Sequence, residues 1–271
     1  MDYLFCNDIS IFAFPVNIIA VLFLMLGIWI LHSYYRHTGI VRILTGMPAT
    51  LTITTLLIAI LIIEGIWVLQ LFKSWIFILL ELLLLVILGL VILKKTNHLH
   101  GRNLLFLLNH AGLWIALAAA LLGAPDREEY KLIAPLGRSE YNALDREGSL
   151  HPLPFTVKLD KFELEYYPQQ ANSTVPKRFC STVTLKSKDQ EIQTAIEVNH
   201  PAKIKGYSLY QDGYDHSKGP DSQYSILLVV RDPWLWAVYL GIFLLLAGAI
   251  GLIICGPIKS MNLKNYSHEL E

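Results

Sequence analysis

Five long apolar stretches constrain the fold of this 271-residue chain more than any other feature. A helix needs roughly 20 apolar residues to cross about 30 Å of hydrocarbon. The stretches approach or exceed that length: Ile9 to Leu31, Pro48 to Leu71, Trp75 to Leu93, Asn103 to Gly123 and Trp234 to Cys255. With 54% apolar and 16% charged residues, the composition is also too apolar for a soluble domain of this size. The sequence predicts a polytopic α-helical membrane protein with five transmembrane helices.

The polar block from Ala124 to Arg231 separates the fourth and fifth stretches and reads as a β-rich domain. Apolar residues alternate with polar ones at Phe155, Val157 and Leu159, and the register then shifts at Phe162, which predicts a bulge near Asp160 and Lys161. The predicted division is residues 1–123 for the first four membrane helices, 124–232 for the β-rich domain, and 233–271 for the fifth helix and a tail.

Further strands follow from the same alternation. The predicted elements are a hairpin from Val183 to Val198 with its turn at Ser187 to Gln190, and single strands at Ile204 to Gln211 and Gln223 to Arg231. The segments Asp126 to Pro152 and Gln169 to Lys177 are predicted to be loops, and so is the short basic connection His32 to Met47.

The placement of Lys and Arg predicts the orientation in the membrane. Basic residues follow the first, third and fifth stretches: Arg36, Arg42, Lys94, Lys95, Arg102, Lys259 and Lys264. The positive-inside rule therefore places the N-terminus and the β-rich domain outside and the C-terminus in the cytoplasm. Residues 1–35 contain no Lys or Arg, so the first stretch is expected to be a retained helix and not a cleaved signal peptide.

Several function classes are disfavoured by the sequence. The formal net charge is +0 and no basic stripe is present, which argues against a nucleic-acid partner. The three cysteines form no CxxC or CxxCH motif, so the chain offers neither a zinc ribbon nor a covalent haem site of its own. No GxSxG, HExxH, phosphate-loop or dinucleotide motif occurs, and no catalytic residue is predicted.

His110 is the first candidate for a functional residue. It lies eight residues after Arg102, about 12 Å along a helix, where a charged side chain would cost roughly 2.5 kcal/mol or more. A low dielectric favours the neutral imidazole that haem iron or another metal requires. Trp114, one turn further on, could stack beside a planar ligand. The alternative is that His110 only bonds a neighbouring helix, and spacing alone leaves both readings open.

Other ionisable residues are secondary candidates. Glu64 and Glu81 lie in the second and third stretches, where a carboxylate pair could relay protons or could simply reach the interface. His98 and His100 lie in the connection before Arg102 and could bind metal or receive haem, although histidines in a basic loop are more often only solvated.

Small residues recur at helical spacing in the last two stretches. They are Gly112, Ala116, Ala120 and Gly123 in the fourth, and Gly241, Gly248 and Gly251 in the fifth. Small side chains so spaced allow close helix contact, which predicts that these two helices pack in a bundle.

Several short motifs point to one known family. They are the block from Asn109 to Trp114, and Val198 to Pro201, Lys205 to Tyr207, Tyr210 to Gln211, Leu228 to Pro233, Val238 to Gly241 and Lys73 to Trp75. In these motifs the sequence resembles the ResB-like (CcsB) family of System II cytochrome c biogenesis, whose histidine-bearing helix is similar to the block from Asn109 to Trp114. The order of these motifs suggests that the resemblance extends from Pro48 to Gly256.

The resemblance implies a role in haem handling in a bacterial inner membrane. In the family, a ResB-like subunit joins a CcsA-like partner, carries haem b across the membrane and helps to present it to CxxCH motifs of exported apocytochromes c. It implies that His110 is an axial ligand of the haem iron. The tryptophan-rich WWD segment belongs to the partner and does not occur here, so the chain is expected to supply one part of a holocytochrome c synthase.

Two other functions are compatible with the sequence alone. One is a membrane scaffold or sensor whose β-rich domain binds a protein. The other is an ion-coupled transporter using Glu64 and Glu81, which is disfavoured because no inverted repeat is present.

Overall fold

The structure is a computed structural model that describes residues 10–67, 71, 74–96, 101–167 and 176–255. The chain divides into a helical unit, within Met1–Pro125 and Trp234–Glu271, and a β unit, Asp126–Pro233. The two units are described separately below.

The helical unit contains six α-helices among its described residues. They are α1 Val16–Tyr35, α2 Gly39–Leu44, α3 Met47–Trp67, α4 Trp75–Lys95, α5 Arg102–Gly123 and α6 Leu235–Ile254. Five of them, all except the short α2, are long and apolar enough to cross a membrane. Of the helix pairs, α5 and α6 make the most extensive contact.

Two predictions near the N-terminal end of the helical unit are wrong. The first apolar stretch was expected to be helical from Ile9, but α1 begins at Val16, directly after Pro15. The predicted loop from His32 to Met47 contains the end of α1 and the whole of α2. Thr38 caps α2 by accepting a hydrogen bond from the Val41 amide, a local signal that the loop prediction overlooked.

The β unit is an eight-stranded antiparallel sheet with the order β5-β4-β3-β2-β1-β8-β7-β6. The strands are β1 Glu128–Pro135, β2 Ser139–Leu144, β3 Leu150–Tyr166, β4 Pro176–Lys186, β5 Glu191–Glu197, β6 Ala202–Ile204, β7 Tyr207–Tyr214 and β8 Tyr224–Arg231.

The sheet curls around one apolar core. Every strand contributes buried side chains to this core, including Leu132 from β1, Leu159 from β3 and Leu227 from β8. The Ser181 hydroxyl on β4 donates a hydrogen bond of 2.7 Å to the Ser225 hydroxyl on β8, although these strands are not neighbours in the sheet. A flat sheet would not bring them together, so the β unit is barrel-like.

Several strand predictions are confirmed. The register of β3 against β4 shifts between Leu159 and Lys161, as the change of alternation predicted. The hairpin of β4 and β5 turns at Ser187 to Gln190, where the Ser187 amide donates to the Gln190 carbonyl. The predicted last strand is β8.

Two β-unit predictions are wrong, and the third lies mostly outside the described residues. Residues Asp126 to Pro152 were predicted to be a loop but hold β1, β2 and the start of β3. The single strand predicted from Ile204 to Gln211 is instead divided between β6 and β7 by a turn at Lys205 and Gly206, both with positive φ. The loop predicted from Gln169 to Lys177 falls largely on residues 168–175, which the structure does not describe.

Candidate functional site

His110 lies in the middle of α5 and is half-buried. Phe106, one turn earlier on the same helix, contacts the imidazole through both its backbone carbonyl and its ring. The His110 Nδ1 is 3.0 Å from the Phe106 carbonyl oxygen. Because a carbonyl oxygen only accepts, Nδ1 must carry the proton and donate it. In the neutral imidazole, the other ring nitrogen, Nε2, then carries the lone pair. The imidazole also stacks on the Phe106 ring, with centroids 3.7 Å apart and planes 25° apart.

The backbone around His110 is held against α6. The side-chain amide of Asn109 donates a hydrogen bond of 2.9 Å to the Leu245 carbonyl. A Cβ built on Gly248 would lie 2.4 Å from the Asn109 amide nitrogen, so the two backbones are in direct contact one residue from the histidine. The predicted packing of the small residues on these two helices is thereby confirmed.

Trp114 holds the opposite side of α5 against α4. Its indole Nε1 donates a hydrogen bond of 3.0 Å to the Leu85 carbonyl. The ring packs against a buried cluster of Ile28, Val41 and Leu90. Trp114 therefore fixes the position of the helix that carries His110, and its contact with a bound haem stays a prediction.

Lys95 lies close to the ring on which His110 stacks. Its Nζ is 5.9 Å from the centroid of Phe106. The Lys95 carbonyl accepts a hydrogen bond of 2.7 Å from the side chain of Asn103, which ties the end of α4 to the start of α5. The sequence indicates a role for Lys95 only in membrane orientation. Its position beside Phe106 could not be predicted, because no spacing rule relates the end of one helix to the start of the next.

The secondary candidates Glu64 and Glu81 lie on different helices. Glu64, near the end of α3, accepts a hydrogen bond of 2.7 Å from the Leu71 amide. Glu81, in the second turn of α4, is buried, with 8% of its surface exposed. Their proposed role as a proton relay stays a prediction. His98 and His100 lie outside the described residues.

A histidine and a carboxylate also pair in the β unit. The His151 Nε2 donates a hydrogen bond of 2.8 Å to Asp145 Oδ2, and the His151 ring lies 5.1 Å from that of Tyr130. The hydrogen bond from the Ser149 amide, followed by that from His151, holds the pKa of Asp145 below its usual value. No group of three or more His, Cys, Asp or Glu in the described parts of the chain is arranged to hold a metal ion.

The depressed pKa of Asp145 predicts an acid-sensitive turn. A carboxylate with a lowered folded pKa stabilises the fold above its unfolded pKa, about 3.9, and that contribution is lost as the pH falls through the folded pKa. We expect Asp145→Asn to be less stable than wild type at pH 7 and to lose less stability between pH 5 and pH 2. The measurement is the thermal unfolding midpoint as a function of pH.

The matched control for this prediction is Glu147→Gln, which removes an exposed carboxylate from the same turn. Its pH profile should follow wild type. A wild-type profile in Asp145→Asn would mean that the hydrogen bonds to this carboxylate do not contribute to stability.

Comparison with known proteins finds a family model that matches part of this chain. The model of the ResB-like family matches residues 100–222, which include His110 and most of the β unit. This segment matches the ResB-like family, which confirms the resemblance predicted from the sequence over these residues. The match is narrower than the predicted extent from Pro48 to Gly256.

Two relatives match over about a hundred residues. Protein NrfI of Wolinella succinogenes is 34% identical over 101 residues, covering 36% of this chain and 10% of NrfI. Cytochrome c biogenesis protein CcsB of a Synechococcus strain is 32% identical over 105 residues, covering 39% of this chain and 22% of CcsB. The matches thus span less than a quarter of either relative.

One solved structure shows a distant likeness. The cytochrome c haem lyase CcmF superposes with a TM-score of 0.38 and 13% sequence identity, covering 77% of this chain and 35% of that one. A score this low does not establish a common fold.

Proposed function

We propose that this chain is a membrane subunit of a cytochrome c assembly complex and binds haem b in transit through His110. The family match over residues 100–222 and the identity to a cytochrome c biogenesis protein support this role. The five long apolar helices support a multi-pass membrane protein. In the proposal it lies in the bacterial inner membrane, with the β unit outside and the C-terminus in the cytoplasm.

The observation that carries the proposal is the distance of 3.0 Å between His110 Nδ1 and the Phe106 carbonyl oxygen, which assigns the ring proton to Nδ1. An imidazole ligates haem iron through an unprotonated ring nitrogen. Ligating histidines usually donate the other ring N–H to a carbonyl or carboxylate, which fixes the orientation of the ring. The Phe106 carbonyl has this relation to Nδ1, so Nε2 is left as the nitrogen available to iron.

The residues around His110 suit a bound haem. The Phe106 ring provides an aromatic surface next to the imidazole, and Lys95 supplies a cation beside that ring for a haem carboxylate. Asn109 and Trp114 fix α5 against α6 and α4 through hydrogen bonds to backbone carbonyls. These contacts would hold the proposed axial ligand in one orientation.

The rest of the reaction is assigned to partners. A CcsA-like membrane protein with a WWD segment would supply the second axial ligand and the site where haem is joined to protein. The β unit would contact the exported apocytochrome c that carries the CxxCH motif. This chain would then be a haem-carrying subunit with no complete catalytic site of its own, and His98 and His100 are candidates for receiving haem before His110.

The test is the haem spectrum of the purified complex. The chain is coexpressed with a CcsA-like partner, and oxidised and reduced absorption spectra are recorded for wild type and His110→Ala. We expect the variant to lose the bound haem or to shift its spectrum while the complex stays intact by size-exclusion chromatography. His200→Ala, which removes an exposed histidine of the β unit, should leave the spectrum unchanged.

A rescue experiment separates ligation from structure. His110→Gly leaves space beside Phe106, and added imidazole should restore the haem spectrum if the missing group is an iron ligand. An intact His110→Ala complex with normal haem content and spectrum would contradict the proposal. An intact wild-type complex without haem would favour the scaffold or sensor alternative.

A further inference from the structure

A basic cavity lies in the helical unit where the end of α1, the short helix α2 and the end of α4 meet. Its volume is about 330 Å³. Three side chains with permanent positive charge line it, namely Arg36, Arg42 and Lys94. None of the described residues that line it is an Asp or Glu, so these residues concentrate positive charge in the cavity without compensation among themselves.

These cations are also unpaired elsewhere in the described part of the chain. None of the three forms an ion pair there, whereas Arg127, Arg178 and other basic residues of the β unit contact carboxylates. Three like charges that share a cavity repel one another. An anion bound between them would remove that repulsion, which makes the cavity a site for an anionic group.

One of the guanidinium groups is already oriented. Arg36 donates a hydrogen bond of 3.0 Å from Nε to Nε2 of His37. This bond holds the planar group while leaving its terminal N–H donors for a ligand. A guanidinium presented in this way matches the oxygen geometry of a phosphate.

The surroundings of the cavity indicate that the anion is attached to an apolar body. Val41 and Leu90 line the cavity beside the cations and are themselves buried. On the other side of α2, Ile40 and Ile43 are 72% and 71% exposed. A short helix that exposes apolar side chains next to basic ones is typical of a helix at a membrane interface.

We propose that this cavity binds the phosphate headgroup of an anionic phospholipid, with Arg36, Arg42 and Lys94 contacting the phosphate. Basic pockets between the ends of membrane helices bind anionic headgroups by the same chemistry. In this assignment the acyl chains extend along the exposed apolar surface of α2. The lipid would then join α1, α2 and α4 at their common end, independently of any role in haem transfer.

The test uses the detergent-purified full chain and short-chain lipids. Binding of phosphatidylglycerol, phosphatidylcholine and inorganic phosphate is measured by native mass spectrometry and by thermal stabilisation. We expect phosphatidylglycerol to bind more tightly than either of the others. Each cation neutralised, in Arg36→Gln, Arg42→Gln or Lys94→Gln, should weaken phosphatidylglycerol binding roughly fivefold, and the double variants should weaken it further.

Two controls keep the result specific. Arg102→Gln neutralises a basic residue at the start of α5 that does not line the cavity, and it should bind phosphatidylglycerol as wild type does. Arg42→Lys keeps the charge and should keep most of the affinity for phosphatidylglycerol. It takes the place of Arg42→Gln in the test if that variant fails to fold. Equal binding of the two lipids, wild-type affinity in the glutamine variants, or inorganic phosphate binding as tightly as phosphatidylglycerol would overturn the proposal.

Discussion

Replacing Gly112 by alanine is expected to separate α5 from α6 and to lower the free energy of unfolding by about 3 kcal/mol, the upper end of the usual range for overpacking. A Cβ at this position would lie 2.3 Å from the Leu245 amide nitrogen and 2.6 Å from the Gly241 carbonyl oxygen. Both atoms belong to the backbone, so no side chain can rotate to make room. The helices can only move apart, which would also break the hydrogen bond from Asn109 to Leu245.

The measurement is the midpoint of thermal unfolding of the full chain in a mild detergent. Gly65→Ala is the matched control, because Gly65 lies within α3 and a Cβ there meets no atom of the described residues within 4 Å. The control should unfold at or above the wild-type temperature, since alanine favours a helix by about 1 kcal/mol relative to glycine. An equal loss of stability in both variants would mean that contact between α5 and α6 does not determine the effect, because helix propensity alone predicts a gain in both.

The same contact sets the position of the proposed haem ligand. Gly112 lies two residues after His110, and Gly248 of α6 meets the backbone of Asn109 one residue before it. If His110 ligates haem as proposed, Gly112→Ala should also reduce the haem content of the complex. Gly65→Ala should not.

The helix packing was predictable from the sequence, but some helix boundaries were not. Small residues at three- and four-residue spacing predict close contact from local information alone, and Gly112 and Gly241 are in such contact. The short helix α2 leaves a weaker signal in the sequence. It has only six residues, too few for an apolar period to be recognised, and only the cap by Thr38 and the burial of Val41 mark it.

In the β unit, the strands that were missed are those with few buried positions. Of the eight residues of β1 only Leu132 and Ala134 are buried, and of the six residues of β2 only Ala143. Alanine gives little hydrophobic signal, and the outward residues are mostly polar or charged. The long strand β3, with an inward apolar residue at nearly every second position, was recognised from the same rule.

For the candidate site, the sequence supplied the residue but not its chemistry. His110 stands out because an ionisable side chain is rare in an apolar helix. Which of its nitrogens is free depends on the Phe106 carbonyl, and this follows only from the side-chain conformation. Similarly, Arg36, Arg42 and Lys94 were visible as basic residues near helix ends, but only the folded positions of α1, α2 and α4 place them around one cavity.

Truncation of the β-unit core at Leu227 is expected to destabilise that unit by about 3 kcal/mol, within the range for buried leucines. Leu227 is fully buried on β8, where it lies opposite Leu132 of β1 and Gln211 of β7. Leu227→Ala would leave a cavity at the centre of the curled sheet, because the strands on both sides are fixed by backbone hydrogen bonds and cannot close around the smaller side chain.

The matched control is Ile133→Ala on β1, next in sequence to Leu132 but 45% exposed on the outer face of the sheet. This variant should lose no more than about 1 kcal/mol of the free energy of unfolding, which is the range that strand propensities span. Stability of the β unit within the full chain is measured by proteolysis at increasing urea concentrations. Both changes shorten an aliphatic side chain on a central strand. Equal losses in the free energy of unfolding would therefore show that strand propensity, and not the enclosed core, stabilises this unit.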